Sequence, residues 1–208
     1  MRVLSTILLA CAGAPTQAAS TDEVPQLAEP VPEGRAEAIL AGGCFWCMES
    51  AFEAIEGVDD AVSGYTGGRL ENPTYQSVGS GLTGHAEAIR VIYDPAVVSY
   101  AQLLDAFWVN IDPTQANGQF CDRGTQYRSA LFPRDASEQA LAESSRDAAA
   151  ATLGQTVVTT IEPFADFYVA ETYHQDFYKK KPAHYQRYRL GCGRDARLQE
   201  LWGDRAAH

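Results

Sequence analysis

Gly42-Gly43-Cys44-Phe45-Trp46-Cys47-Met48-Glu49 decides the reading of this chain. Upstream, residues 36–41 form a short apolar run that the two glycines end, the pattern of a buried strand running into a tight turn. Downstream, Phe45, Met48, Phe52 and Ile55 recur at helical spacing until Gly57. Cys44 therefore falls where a strand turns into a helix, so that free backbone N–H groups and the positive end of the helix dipole can stabilise a thiolate. Cys47 follows after nearly one helical turn, within plausible reach of Cys44 for a disulfide if the first turn adjusts.

Working outward, residues 58–65 read as a second strand. A loop follows to Gly84, and then a third strand over residues 85–93, whose odd positions carry His85, Glu87, Ile89, Val91 and Tyr93. Ser99 with Gln102 forms a capping box for a helix bearing Leu103, Leu104, Phe107 and Trp108. Residues 126–132 make a fourth strand, Ser137 caps an alanine-rich helix that ends at Gly154, and residues 157–161 make a fifth strand. The tail is expected to hold a short helix over residues 173–180 and then irregular chain. The order β-α-β-β-α-β predicts an α+β fold, a ferredoxin-like split β-α-β sheet with helices packed on it, plus an extra helix and strand.

The 208 residues, 46% hydrophobic and 21% charged, exclude disorder and fibrous classes and fit one folded domain. A net charge of −11 argues against nucleic acid as a partner. The basic residues gather from Lys179 onward, which reads first as a solvated face and second as a place for an acidic partner to dock. Residues 1–18 have the layout of a secretory signal, with Thr16-Gln17-Ala18 at the cleavage position. Export to the bacterial periplasm is expected, and four of the five cysteines remain after cleavage. Leu8-Leu9-Ala10-Cys11 offers the rival reading of a lipid anchor at Cys11. Residues 19–35, rich in proline and acid, read as an extended linker to a catalytic domain over 36–208. No other segment is long and apolar enough to cross a membrane.

From the residues alone, a structural disulfide, a zinc site and a thioredoxin-type redox module all compete for the Cys-x-x-Cys pair. The bulky Phe45-Trp46 insert argues for a fenced pocket over a flat partner surface. Glu87 shares a strand face with Ile89 and Val91, so burial would raise its pKa and keep it protonated as an acid; the alternative is a carboxylate reaching out to solvent. His85 reads as a structural histidine.

Several motifs in one order, Gly42-Gly43-Cys44-Phe45-Trp46, Gly64-Tyr65-Thr66-Gly67-Gly68, Asn72-Pro73-Thr74-Tyr75, Gly84-His85-Ala86-Glu87-Ala88, Tyr93-Asp94-Pro95, Gly124-Thr125-Gln126-Tyr127-Arg128-Ser129 and His174-Gln175, resemble the peptide methionine sulfoxide reductase A family, in its Cys-Phe-Trp-Cys branch. The resemblance implies an enzyme that reduces the S epimer of methionine sulfoxide in proteins and peptides, with the free amino acid as a further substrate. It implies Cys44 as nucleophile, Glu87 as general acid, and Tyr75 and Tyr127 as hydroxyl donors to the sulfoxide oxygen. Phe45 and Trp46 would receive the S-methyl group, with Asp122 holding water or the tyrosines. It implies Cys47 as the favoured resolving thiol and Cys192 as the alternative or relay. Cys121 is expected to stay reduced, and the tail tyrosines Tyr185 and Tyr188 are given no role. No metal or organic cofactor is implied; the reductant is a thioredoxin-like dithiol, with dithiothreitol serving in vitro, and the protein is expected to be a monomer. The competing functions are a disulfide-bearing binding module and a general thiol-disulfide oxidoreductase.

Overall fold

The structure, a computed structural model, describes residues 25–164 and 166–206. In chain order the strands and α-helices are β1 (Gln26–Leu27), β2 (Ala36–Gly42), α1 (Phe45–Phe52), β3 (Val58–Thr66), α2 (Tyr75–Gly79), β4 (Ala86–Tyr93), α3 (Tyr100–Trp108), β5 (Gly118–Gln119), β6 (Asp122–Arg123), β7 (Ser129–Leu131), α4 (Ala136–Leu153), β8 (Thr160–Ile161), β9 (Tyr168–Val169), α5 (Phe177–Lys180), α6 (Pro182–Gly191) and α7 (Arg194–Trp202). The class is α+β, as expected. The central sheet runs β1-β9-β3-β4-β2-β7-β8, while β5 and β6 pair separately. Because β4 is antiparallel to both β2 and β3, these two strands, joined through α1, run parallel with β4 between them.

Strand alternation sorts the core. Ala38, Leu40, Ile89 and Val91 face the helices and pack with Phe45, Met48 and Phe52 of α1 and with Leu103, Leu104 and Phe107 of α3. On the other face, Ile39, Ala41, Ala86 and Ala88 pack against Phe132 and Phe167, with no helical residue among them. Glu87 shares the parity of Ile89 and Val91, so it stands on the helix side, beside Tyr65 of β3 in register. That places a carboxyl under the start of α1.

The turn into α1 requires glycine. Gly43 has φ +80°, and a Cβ there would lie 2.4 Å from Cβ of Gln119. Gln119 is fully buried, and its amide accepts from Asp112 N (2.9 Å) and donates to Asp112 O (2.7 Å), so it has nowhere to retreat. Gly43→Ala is expected to cost about 2 kcal/mol or more, from left-handed backbone strain and steric overlap together. An unchanged urea midpoint would contradict this account.

Several boundaries differ from the sequence reading. Asp135, not Ser137, caps α4, accepting from Ser137 N and Glu138 N (2.8 and 2.9 Å), while Gly154 at φ +60° closes it as expected. The fourth strand shrinks to β7 because residues Thr125–Tyr127 form a 3-10 turn, and the fifth keeps only β8, parallel to β7. Inside the expected long loop lies α2, whose Thr74–Ser77 capping box uses serine where glutamate or glutamine is the usual signal. The tail is not irregular: α5, α6 and α7 follow one another. The ten residues of α6 bury only Tyr185, so they leave no apolar stripe to read.

The expected linker is docked at its described end. Gln26 and Leu27 pair with Val169 and Tyr168, and Ala28 N donates to Phe167 O at 3.0 Å. The leader over residues 1–18, with Cys11, lies outside the described residues. No described helix is long and apolar enough to cross a membrane.

Candidate active site

At the N-terminus of α1 the first amide groups have no partner within the helix. One of them, Phe45 N, donates to Glu87 Oε2 at 3.2 Å, tying the Cys44–Phe45 peptide to β4. Around this contact opens a recess of about 250 Å³, lined by Cys44, Phe45, Trp46, Tyr75, Glu87, Asp122, Tyr127 and Tyr188. Four parts of the chain beyond α1 and β4 contribute: Tyr75 starts α2, Asp122 lies on β6, Tyr127 ends the 3-10 turn, and Tyr188 projects from α6. All but Tyr188 are residues to which the sequence reading gave a role.

Glu87 is 3% exposed. Burial pushes its pKa up to about 8, helped by the nearby Asp122 and Cys47 charges and opposed by the Phe45 N–H. At neutral pH it is mostly a neutral carboxylic acid that can donate a proton. The solvent-reaching alternative is thereby ruled out. Burial also raises Tyr75, to about 12, and Tyr127 further, so both keep their protons, and their hydroxyls hydrogen-bond one another. The recess thus presents three O–H donors.

The two cysteines of the pair differ in their surroundings. Cys44 is 6% exposed, and burial drives its thiol well above the ordinary range, reinforced by the hydrogen bond and charge of Cys47. Cys47 is instead pulled down to about 6, chiefly by the hydrogen bond from Cys44 and, against the cost of its own burial, by the positive fields of Arg194 and Arg189. The two thiols share one negative charge, which rests on Cys47 while Cys44 keeps the proton.

Cys121 is not a free thiol. It is bonded to Cys192, with Cα atoms 5.0 Å apart, while among the described residues Cys44 and Cys47 are the free cysteines. The bond joins the β5–β6 turn to the C-cap of α6. It fixes the two elements that carry Asp122 and Tyr188, and the Tyr188 hydroxyl donates to Asp122 Oδ2. Asp122, expected to hold the tyrosines, holds the one that the sequence reading left aside.

The family profile described as peptide methionine sulfoxide reductase matches residues 36–206. The chain belongs to this family. It is 51% identical over 168 residues to peptide methionine sulfoxide reductase MsrA of Bacillus subtilis, covering 80% of this chain and 95% of that one. It is likewise 51% identical over 180 residues to MsrA 2 of Caulobacter vibrioides, covering 86% and 90%. Among solved structures, reduced Mxr1 from Saccharomyces cerevisiae superposes with a TM-score of 0.69 at 32% identity, covering 77% of this chain and 91% of that one.

Within this reductase fold, the remaining residues that shape the recess were less visible in the sequence. Trp46 is held edge and face: its Nε1 donates to His174 Nδ1 at 3.1 Å, and its ring stacks on Phe177 with centroids 3.8 Å apart. His174 is buried, which pushes its pKa down to about 4, so it remains a neutral acceptor. Glu171 accepts from Tyr75 N and from the Tyr65 hydroxyl, both at 2.8 Å, anchoring α2. Besides Trp46, only Tyr65 and His174-Gln175 carried any signal, as part of the family resemblance. Gln175 explains its own place there: its amide bonds Ser63 N (3.0 Å) and Ser63 O (2.9 Å), fastening this loop to β3. His85 is structural, its ring nitrogens meeting Gly68 N at 3.2 Å and Leu70 O at 2.8 Å.

Proposed function

We propose that the protein is a peptide-methionine (S)-S-oxide reductase, acting on methionine sulfoxide in peptides and proteins and on the free S-sulfoxide. The observation that carries the reading is a buried thiol, Cys44, facing a recess that also holds a protonated carboxyl, Glu87. A binding module has no need of that costly pair. Phe45 and Trp46 receive the S-methyl group, and Glu87, Tyr75 and Tyr127 donate hydrogen bonds to the sulfoxide oxygen, making sulfur electrophilic. The Cys44 sulfur attacks as its proton passes to Cys47. The attack forms an S–S bond between Cys44 and the substrate sulfur while the oxygen takes a proton from Glu87. The substrate S–O bond then breaks as the hydroxyl passes to the Cys44 sulfur, the S–S bond opens with its electron pair to methionine, which leaves reduced, and Cys44 is left as a sulfenic acid. Cys47 attacks that sulfur, expelling the oxygen as water and leaving a Cys44–Cys47 disulfide. A thioredoxin-like dithiol returns both thiols, and no cofactor takes part. Cys47 resolves because it already hydrogen-bonds Cys44, whereas Cys192 is engaged with Cys121.

The test is turnover of separated S and R epimers of a peptide methionine sulfoxide with dithiothreitol. Reduction of the S epimer alone, lost in Cys44→Ser, is expected. Failure to reduce either epimer by folded, reduced protein would overturn the assignment. The pH profile adds a second check. The cysteine pair must have lost one proton, with the acidic member near 6, and Glu87 must keep its proton, held to about 8. We expect kcat/KM to rise through pH 6 and fall through pH 8, and a rate that keeps climbing above pH 8 would exclude Glu87 as the acid.

Export to an oxidising compartment, the bacterial periplasm, is part of the proposal. The partly exposed Cys121–Cys192 bond suits such a compartment, and residues 1–18 have the composition of a leader. Cell fractionation with and without those residues tests it, and retention in the membrane fraction dependent on Cys11 would favour the lipid anchor.

A further inference from the structure

Beside the recess, and sharing Tyr188 with it, a second and more open groove of about 600 Å³ is lined by His184, Arg187 and Tyr188. Tyr188 lines both spaces, and their aromatic rings adjoin: Trp46 lies 5.8 Å from Tyr188 and 6.4 Å from His184, centroid to centroid. Charge in this region is one-sided. From residue 177 to residue 194 the sequence has no aspartate or glutamate. Lys179 is neutralised by Glu53 and Asp176, Lys180 lies against Asp176, and Arg189 pairs with Asp195. Arg187 stands exposed in the groove lining and, like Lys181, forms no ion pair among the described residues.

We propose that this groove is a subsite for the residues flanking the oxidised methionine, and that Arg187 gives it a preference for an acidic side chain one or two positions away. The proposal rests on the sulfoxide-reductase reading of the recess. Adjacent residues are 3.8 Å apart along a peptide, so in a chain whose sulfoxide sits between Trp46 and Glu87 the next one or two residues reach across Tyr188 into the groove. An aromatic floor suits backbone and apolar stems, and an unneutralised guanidinium at the rim suits a carboxylate. The body of the protein carries net charge −11 and repels acidic peptides in general. An acidic preference therefore needs a local cation.

The experiment compares kcat/KM for three peptides that differ only in the residue flanking methionine S-sulfoxide, glutamate, glutamine or lysine, in the full protein and in Arg187→Glu and Arg187→Gln. The glutamate peptide is expected to exceed the lysine peptide by about three-fold or more at low salt, with the difference shrinking at high salt. Arg187→Glu should invert the order and Arg187→Gln should level it. Each ratio is taken within one protein, so a general loss of activity cancels. Equal turnover of the three peptides by the full protein, or a preference that survives in Arg187→Glu, would overturn the proposal. So would an effect of Arg187→Glu confined to the KM of the reducing dithiol, which would assign the cation to the electron donor. Free methionine S-sulfoxide separates the two readings: if the full protein does not reduce it or any of the peptides, the reductase reading itself has failed.

Discussion

Glu87→Gln lowers kcat/KM for sulfoxide reduction by about 10²- to 10⁴-fold, the usual loss when a positioned general acid is removed. The substitution keeps the shape of the side chain and an oxygen to accept from Phe45 N, now made at 3.2 Å, so the recess keeps its lining. What it removes is the transferable proton. Because burial raises the carboxyl from 4.5 to about 8, the native protein favours its neutral form. That contribution to stability is complete below pH 4.5 and is lost as pH rises through 8, where the buried group must ionise. Glutamine never ionises. The variant is therefore expected to melt at the same temperature as the parent near pH 4 and at a higher temperature near pH 9. A variant that is slow at pH 7 yet more stable at pH 9 would tie rate and pKa to one group; unchanged turnover would remove Glu87 from the chemistry.

Cys47→Ser is expected to release a first equivalent of reduced methionine per protein and then turn over only slowly, with Cys44 accumulating as a sulfenic acid open to a carbon nucleophile such as a 1,3-diketone. Steady-state turnover with a protein dithiol should fall by about 10²-fold or more, since the resolving thiol is no longer held beside the sulfur it attacks. The first turnover should also slow, because the group that takes the Cys44 proton has gone. Cys192→Ser is expected to behave differently. Its partner Cys121 lies 71 residues away, so loss of the bond should cost about 2–4 kcal/mol of stability. Its turnover should stay within a few-fold of the parent at temperatures where it remains folded. If Cys192→Ser stalls after one equivalent and Cys47→Ser does not, the resolving role belongs to Cys192 and the Cys121–Cys192 bond must open during catalysis.

The local parts of this protein are written in short stretches of its sequence. Two glycines before Cys44, Phe45, Met48 and Phe52 at helical spacing, and alternation from Glu87 to Val91 are enough to place a thiol at a helix start and a carboxyl on a buried strand face. These features depend on neighbours within a few residues, through backbone sterics, capping and amphipathic period. The motifs around Tyr75 and Tyr127 carried the rest of the recess by resemblance.

Packing decided what local pattern could not. Tyr188 and the Cys121–Cys192 bond come from a polar helix with no apolar stripe, brought against a turn far away in the chain. The charge on the cysteine pair was likewise out of reach of the sequence. Burial raises the Cys44 thiol, while Arg194 and Arg189, more than 140 residues further along the chain, lower that of Cys47. Secondary structure follows from short-range terms that the sequence displays directly; proton placement and disulfide pairing follow from burial and from long-range contacts, which exist only once the chain has folded.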